Sequence, residues 1–69
     1  MERAQVSSSN ISSIGYDTES STLEVEFSNG NVYQYFDVPQ SEFEQLKSAS
    51  SKGEYLNRSI RGNYRYSRV

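Results

Sequence analysis

Sixty-nine residues with seven basic and nine acidic side chains, no histidine and no cysteine, exclude most chemistry: without thiols there is no disulfide or thiolate site, and without imidazole the usual zinc sets and the commonest general base are missing. A chain of this size makes one domain and buries only about 60% of the surface that its unfolded form exposes. Fourteen Leu, Ile, Val and Phe residues beside fourteen serines lean toward disorder, but six tyrosines and three phenylalanines with a net charge of only −2 lean back toward a folded domain.

Residues 1–9 read as a flexible N-terminal arm with Val6 as its one apolar anchor, and residues 10–69 as a single domain. Ile14 and Tyr16 share a face, and a loop through residues 18–21 sets them opposite Val25 and Leu23. Leu23, Val25 and Phe27 alternate with Thr22, Glu24 and Glu26, the period of a strand with one buried face. Asn29-Gly30 then tolerates the positive φ values of a type I′ turn, which predicts a two-residue hairpin over residues 22–36. That turn pairs Phe27 with Val32, Val25 with Gln34 and Leu23 with Phe36, and it puts Tyr33 and Tyr35 on the outer face with Glu26 and Glu24.

Pro39 suits the first position of a helix, and Glu42 and Glu44 follow where the dipole favours acids, so a helix is predicted from Pro39 to about Ala49 with Phe43 and Leu46 toward the sheet. Ser51 and Glu54 have the spacing of a capping box, which starts a short second helix carrying Tyr55, Leu56 and Ile60 until Gly62 stops it. Alternation resumes over residues 64–69, as a fourth strand or an extended clasp. The expected fold is α+β: a three-stranded antiparallel meander packed by one main helix, a short second helix and a C-terminal extended strand. Its expected core is Ile14, Leu23, Val25, Phe27, Val32, Phe36, Phe43, Leu46, Leu56 and Ile60.

Several landmarks line up in order: Ser8-Ser9-Asn10-Ile11, Ser13-Ile14-Gly15-Tyr16-Asp17, Leu23-Glu24-Val25-Glu26-Phe27, Tyr33-Gln34-Tyr35, Val38-Pro39, Ser51-Lys52-Gly53, Tyr55 with Asn57, and Ile60-Arg61 before Tyr64. Together they resemble the KTSC domain, a small family that occurs at the C-terminus of some lysyl-tRNA synthetases and as stand-alone bacterial proteins. Tyr33 and Tyr35 correspond to the family's YxY feature. The resemblance implies a domain without an established activity, for which the synthetase neighbourhood suggests RNA, tRNA in particular, as a partner. This chain is acidic overall and carries no synthetase, so any tRNA role is expected to be independent of aminoacylation by the same polypeptide.

Catalysis is not expected. Glu24 and Glu26 point outward with no histidine to work with, no G-x-S-x-G elbow is present, and the four glycines are too dispersed for a phosphate loop. Asp17, Glu19 and Ser21 fall short of the 6 to 8 oxygens calcium takes, so neither metal nor cofactor is implied. No apolar run approaches the roughly 20 residues that span a bilayer, and the polar start lacks a signal-peptide core, which makes a cytoplasmic protein the default.

Charge carries the remaining signal. Residues 1–46 hold eight acidic side chains against Arg3, a balance of −7, whereas residues 47–69 hold six basic ones against Glu54, a balance of +5. In one reading Lys52, Arg58, Arg61, Arg65 and Arg68 contact the phosphates of an RNA while Tyr64 and Tyr66 stack on unpaired bases. In a second, Glu24, Glu26, Tyr33 and Tyr35 form a contact patch for another protein. In a third, the basic tail folds back and places Arg65 or Arg68 near Glu24 and Glu26, cancelling the charges within a monomer. Composition leaves all three open.

Overall fold

The computed structural model describes residues 3–5 and 10–69. Five antiparallel strands lie in one sheet in chain order: β1 (Arg3–Gln5), β2 (Ile11–Asp17), β3 (Thr22–Phe27), β4 (Val32–Tyr35) and β5 (Tyr66–Arg68). Between β4 and β5 the chain forms α1 (Gln40–Ser48) and α2 (Lys52–Tyr55), and α2 runs on as a π-helical segment, Leu56–Ile60. This is the expected α+β arrangement of meander, main helix, short second helix and C-terminal strand. Of the arm expected over residues 1–9, the described part, Arg3–Gln5, is an edge strand on β2; the rest, Val6 included, lies outside the described residues.

The β2–β3 pairing follows its alternation, with Ile14 opposite Val25 and Tyr16 opposite Leu23. Its loop is tied by the Asp17 carboxylate, which accepts hydrogen bonds from the Glu19 amide at 3.1 Å and the Ser20 hydroxyl at 3.0 Å, the local bonding that suits Asp to turns.

The β3–β4 turn departs from expectation. The Gly30 amide donates to the Phe27 carbonyl at 2.9 Å, the Phe27 amide donates to the Asn31 carbonyl at 2.9 Å, and Gly30 takes φ +92°. The loop is therefore the three residues 28–30, a tight turn closed by a glycine bulge rather than a two-residue type I′ turn. One extra loop residue shifts the register: Glu26 pairs with Val32, Val25 with Tyr33, Glu24 with Gln34 and Leu23 with Tyr35. A one-residue slip turns every side chain of a strand over, so Tyr33 and Tyr35 lie on the core face with Val25 and Leu23, not outside with Glu24 and Glu26. Tyr35 is accordingly buried, while Val32 and Phe36, both expected in the core, are only half-buried, as is Phe27.

Ile11, Ile14, Leu23, Val25, Tyr35, Val38, Leu46, Leu56 and Ile60 make up the core. Asp37 takes a left-handed φ of 57° and turns the chain off the sheet, and Pro39 caps α1 from just outside its first turn. Leu46 is the fully buried residue of α1. Phe43, half-buried, stacks on Tyr16 at 5.1 Å between centroids, and the Tyr16 hydroxyl donates to the Val38 carbonyl. The Ser51 hydroxyl accepts from the Glu54 amide at 3.4 Å, the cap read from the sequence. Helical winding widens where the Arg61 amide reaches back to the Leu56 carbonyl at 2.8 Å, and it ends at Ile60, two residues before the expected stop: Arg61 is already extended, and Gly62 takes φ +83° in the turn that follows. β5 is then held against β4 by hydrogen bonds from the Phe36 amide to Arg65 and from the Val69 amide to Val32, both 2.8 Å.

Candidate functional site

The register that turned the tyrosines inward also builds a groove. β5 pairs so that Tyr66 lies opposite Tyr35 and Arg68 opposite Tyr33, which puts all four residues on the face that the helices cover. The rings form a cluster: Tyr33 and Tyr66 stack at 5.5 Å, Tyr35 and Tyr66 are 5.8 Å apart, and Phe27 meets Tyr33 edge-on at 5.4 Å. Tyr66 is nevertheless 59% exposed, so much of its ring still faces solvent.

Three adjoining clefts run along this surface. One of about 290 Å³ lies among Tyr33, Tyr35, Arg61 and Tyr66. A smaller one of about 160 Å³ continues past Phe27 and Asn31, and the third, about 460 Å³, lies among Asn10, Phe27, Asn29, Leu56 and Asn57. Arg61 borders all three, and each shares walls with its neighbour. They form one groove with a guanidinium at its middle, tyrosines at one end and carboxamides at the other. Arg61 is oriented from its own helical turn, donating from Nη1 to the Asn57 Oδ1 at 3.1 Å. Burial raises the Tyr35 hydroxyl above its ordinary pKa, and the positive charge of Arg61 partly opposes that shift.

The structure separates the basic residues that the sequence groups together. Arg61 and Tyr66 come together at the groove, while Arg68 lines none of its three clefts and lies on the same sheet face opposite Tyr33; among the described residues neither Arg61 nor Arg68 forms an ion pair. Arg65 pairs with Asp37 at 3.0 Å. Arg58 lies over the Tyr55 ring at 5.7 Å and lines a different cleft, with Gln45 and Glu54. Lys52 is turned back on the Ala49 carbonyl at 3.2 Å. Tyr64, expected to stack on bases, is half-buried and donates to the Glu42 Oε2 at 2.9 Å.

The acidic hairpin face is also occupied. Arg3 reaches Glu24 at 3.2 Å and Glu26 at 3.5 Å, Gln34 donates to Glu24 at 3.0 Å and Ser13 donates to Glu26 at 3.1 Å. The expected neutralisation by Arg65 or Arg68 does not occur: Arg65 is engaged with Asp37, and Arg68 lies on the opposite face of the sheet. Glu24 and Glu26 therefore share no surface with Tyr33 and Tyr35. Sequence reasoning missed Asn10, Asn29, Asn31 and Asn57; the spacing of Asn57 four residues before Arg61 was the available signal, since such residues are helix neighbours.

Glu42 joins α1 to the C-terminal half, because both Tyr55 and Tyr64 donate to its carboxylate. That hydrogen bond is the main reason the Tyr55 pKa is raised, whereas burial leads for Tyr64, with the Glu42 bond second. A folded state that holds these protons above the ordinary tyrosine range near 10 gains from them fully below that value, and loses the gain as pH rises through the folded pKa values. Thermal midpoints should thus be level to about pH 9 and fall by pH 11. The fall should be shallower in a Tyr55→Phe, Tyr64→Phe double variant, with Tyr35 supplying the remainder. An undiminished alkaline fall in that variant would refute the assignment.

Among the described residues, no helix is long and apolar enough to cross a membrane, and no group of three or more acidic side chains could hold a metal. The family model of the KTSC domain matches residues 7–64. A lysine–tRNA ligase of Nostoc punctiforme is 39% identical over 59 residues, which cover 86% of this chain but 10% of that protein. One of Trichormus variabilis is 41% identical over 54 residues, again 10% of its length. The chain thus spans about a tenth of the ligases it matches. An uncharacterized protein of Stutzerimonas stutzeri is 41% identical over 100% of this chain and 99% of its own. The crystal structure of a KTSC domain protein from Yersinia pestis superimposes with a TM-score of 0.94 at 39% identity, covering 99% of this chain and 96% of that one.

Proposed function

This chain belongs to the KTSC domain family, and from that premise we propose that it is a non-enzymatic domain that binds single-stranded RNA in the groove centred on Arg61. One observation carries the reading: a largely exposed tyrosine, Tyr66, stacked on Tyr33, shares a sheet face and a cleft wall with Arg68 and Arg61, which form no ion pair among the described residues. An exposed ring offers a stacking surface to any unpaired base, and guanidinium groups bind the phosphates between bases. The relatives named lysine–tRNA ligases place similar domains in proteins whose name includes an RNA, and carrying that setting to this chain is part of the proposal.

The acidic hairpin face favours no partner of its own, because its carboxylates are already engaged by Arg3, Ser13 and Gln34. Titration with a single-stranded RNA octamer and with tRNA, followed by backbone amide shifts, tests the reading. Shifts should concentrate on Tyr33, Tyr35, Arg61, Tyr66 and Arg68. Tyr66→Ala should weaken binding to unpaired RNA by about 5- to 150-fold, the equivalent of roughly 1 to 3 kcal/mol of stacking, and leave any binding to duplex little changed. No shifts with excess RNA at about 50 mM salt, where phosphate contacts are strongest, would end it.

A further inference from the structure

We propose that the carboxamide end of the groove reads one base of the bound strand and favours adenine there, so that binding is selective at a single position. This rests on the RNA reading of the tyrosine end. Phosphate needs only cations and donors, which Arg61 and Arg68 supply. A base edge carries donors and acceptors side by side, and the neutral side chain that matches both is a carboxamide.

The cleft of about 460 Å³ beyond Arg61 has such groups over an apolar floor of Phe27 and Leu56. The Asn57 Oδ1 accepts from Arg61, which fixes its amide plane and leaves its NH₂ for a ligand. The Asn29 Oδ1 likewise accepts from the Asn31 amide at 3.0 Å. Asn10 is anchored at the rim by its main chain, whose carbonyl accepts from the Ser28 amide at 2.9 Å, and its side chain is exposed. Among the described residues Asn10 is the carboxamide of this cleft whose donor and acceptor are both available, and such a group pairs with N6 and N7 of adenine. With a phosphate on Arg61, the base on one side meets Tyr66 and the base on the other enters the amide cleft.

The test is fluorescence anisotropy with an eight-residue oligouridine and with the same strand carrying one adenine at each position in turn. Adenine at one interior position should tighten binding on the order of tenfold, as one bidentate pair would. The ratio of adenine-bearing to all-uridine affinity should fall to near one in Asn10→Ala and in Asn57→Ala; unchanged thermal midpoints report that both are folded, and because Asn57 orients Arg61, Asn57→Ala should also weaken every strand. A flat scan, or a preference that survives both substitutions, overturns the base-reading proposal while leaving the RNA reading intact. Failure of every strand to bind overturns both.

Discussion

Leu46→Ala should lower the unfolding free energy by about 3 kcal/mol, within the range measured for emptying a leucine site. Leu46 is 0% exposed and is the fully buried residue of α1, so its side chain is the main apolar anchor of that helix on the sheet. Phe43 adds a stack on Tyr16 but keeps part of its ring in solvent. A small domain has ~5 kcal/mol to spare, and each kcal/mol moves the midpoint of such a domain by about 4–8 °C. The expected drop is therefore more than about 10 °C by calorimetry or circular dichroism. A shift of only a degree or two would mean that α1 is held by its polar ties through Glu42 rather than by Leu46.

Arg61→Glu should weaken single-stranded RNA binding by at least about tenfold, because a hydrogen bond to a charged group contributes about 1.5–3 kcal/mol and reversal adds repulsion. The exposed side chain lies on the groove rather than in the core, so the thermal midpoint should scarcely move. The salt dependence carries separate information. If Arg61 and Arg68 alone meet phosphate, the slope of log affinity against log salt is about −1.4, whereas all four C-terminal arginines together would give about −3. A slope near the larger value, or unchanged affinity in Arg61→Glu, would refute the groove as the binding surface.

Much of the fold was legible because local signals agreed. Leu23, Val25 and Phe27 alternate cleanly, residues 18–21 are the right length to return β2 onto β3, and Ser51 caps α2 as its spacing to Glu54 suggested. The β3–β4 register was not legible. Val32-Tyr33-Gln34-Tyr35-Phe36 is apolar or aromatic at every position but one, so neither face declares itself, and an Asn-Gly pair serves two-residue and three-residue loops alike. The site went astray with the register: a one-residue difference in loop length decides whether Tyr33 and Tyr35 join Glu24 and Glu26 or join Arg61 and Tyr66. β1 carries no apolar residue but Ala4 and is placed by backbone pairing, which leaves no trace in hydropathy. Tyr64 finds its partner at Glu42, too far upstream for any short-range pattern to show.

The sheet is assembled in chain order, but its joins are not entropically alike. β2 to β3 closes over four residues, 18–21, and β3 to β4 over three, 28–30, whereas β4 to β5 closes over residues 36–65. Loop-closure entropy grows as the logarithm of length, so a loop of roughly 30 residues costs about 2 kcal/mol more to close than one of about four. Three residues of β5 offset that cost with flanking main-chain bonds at Phe36 and Val69, the ring contacts of Tyr66 and the Arg65–Asp37 pair. The tyrosine wall of the groove thus stands on the join that chain entropy opposes most.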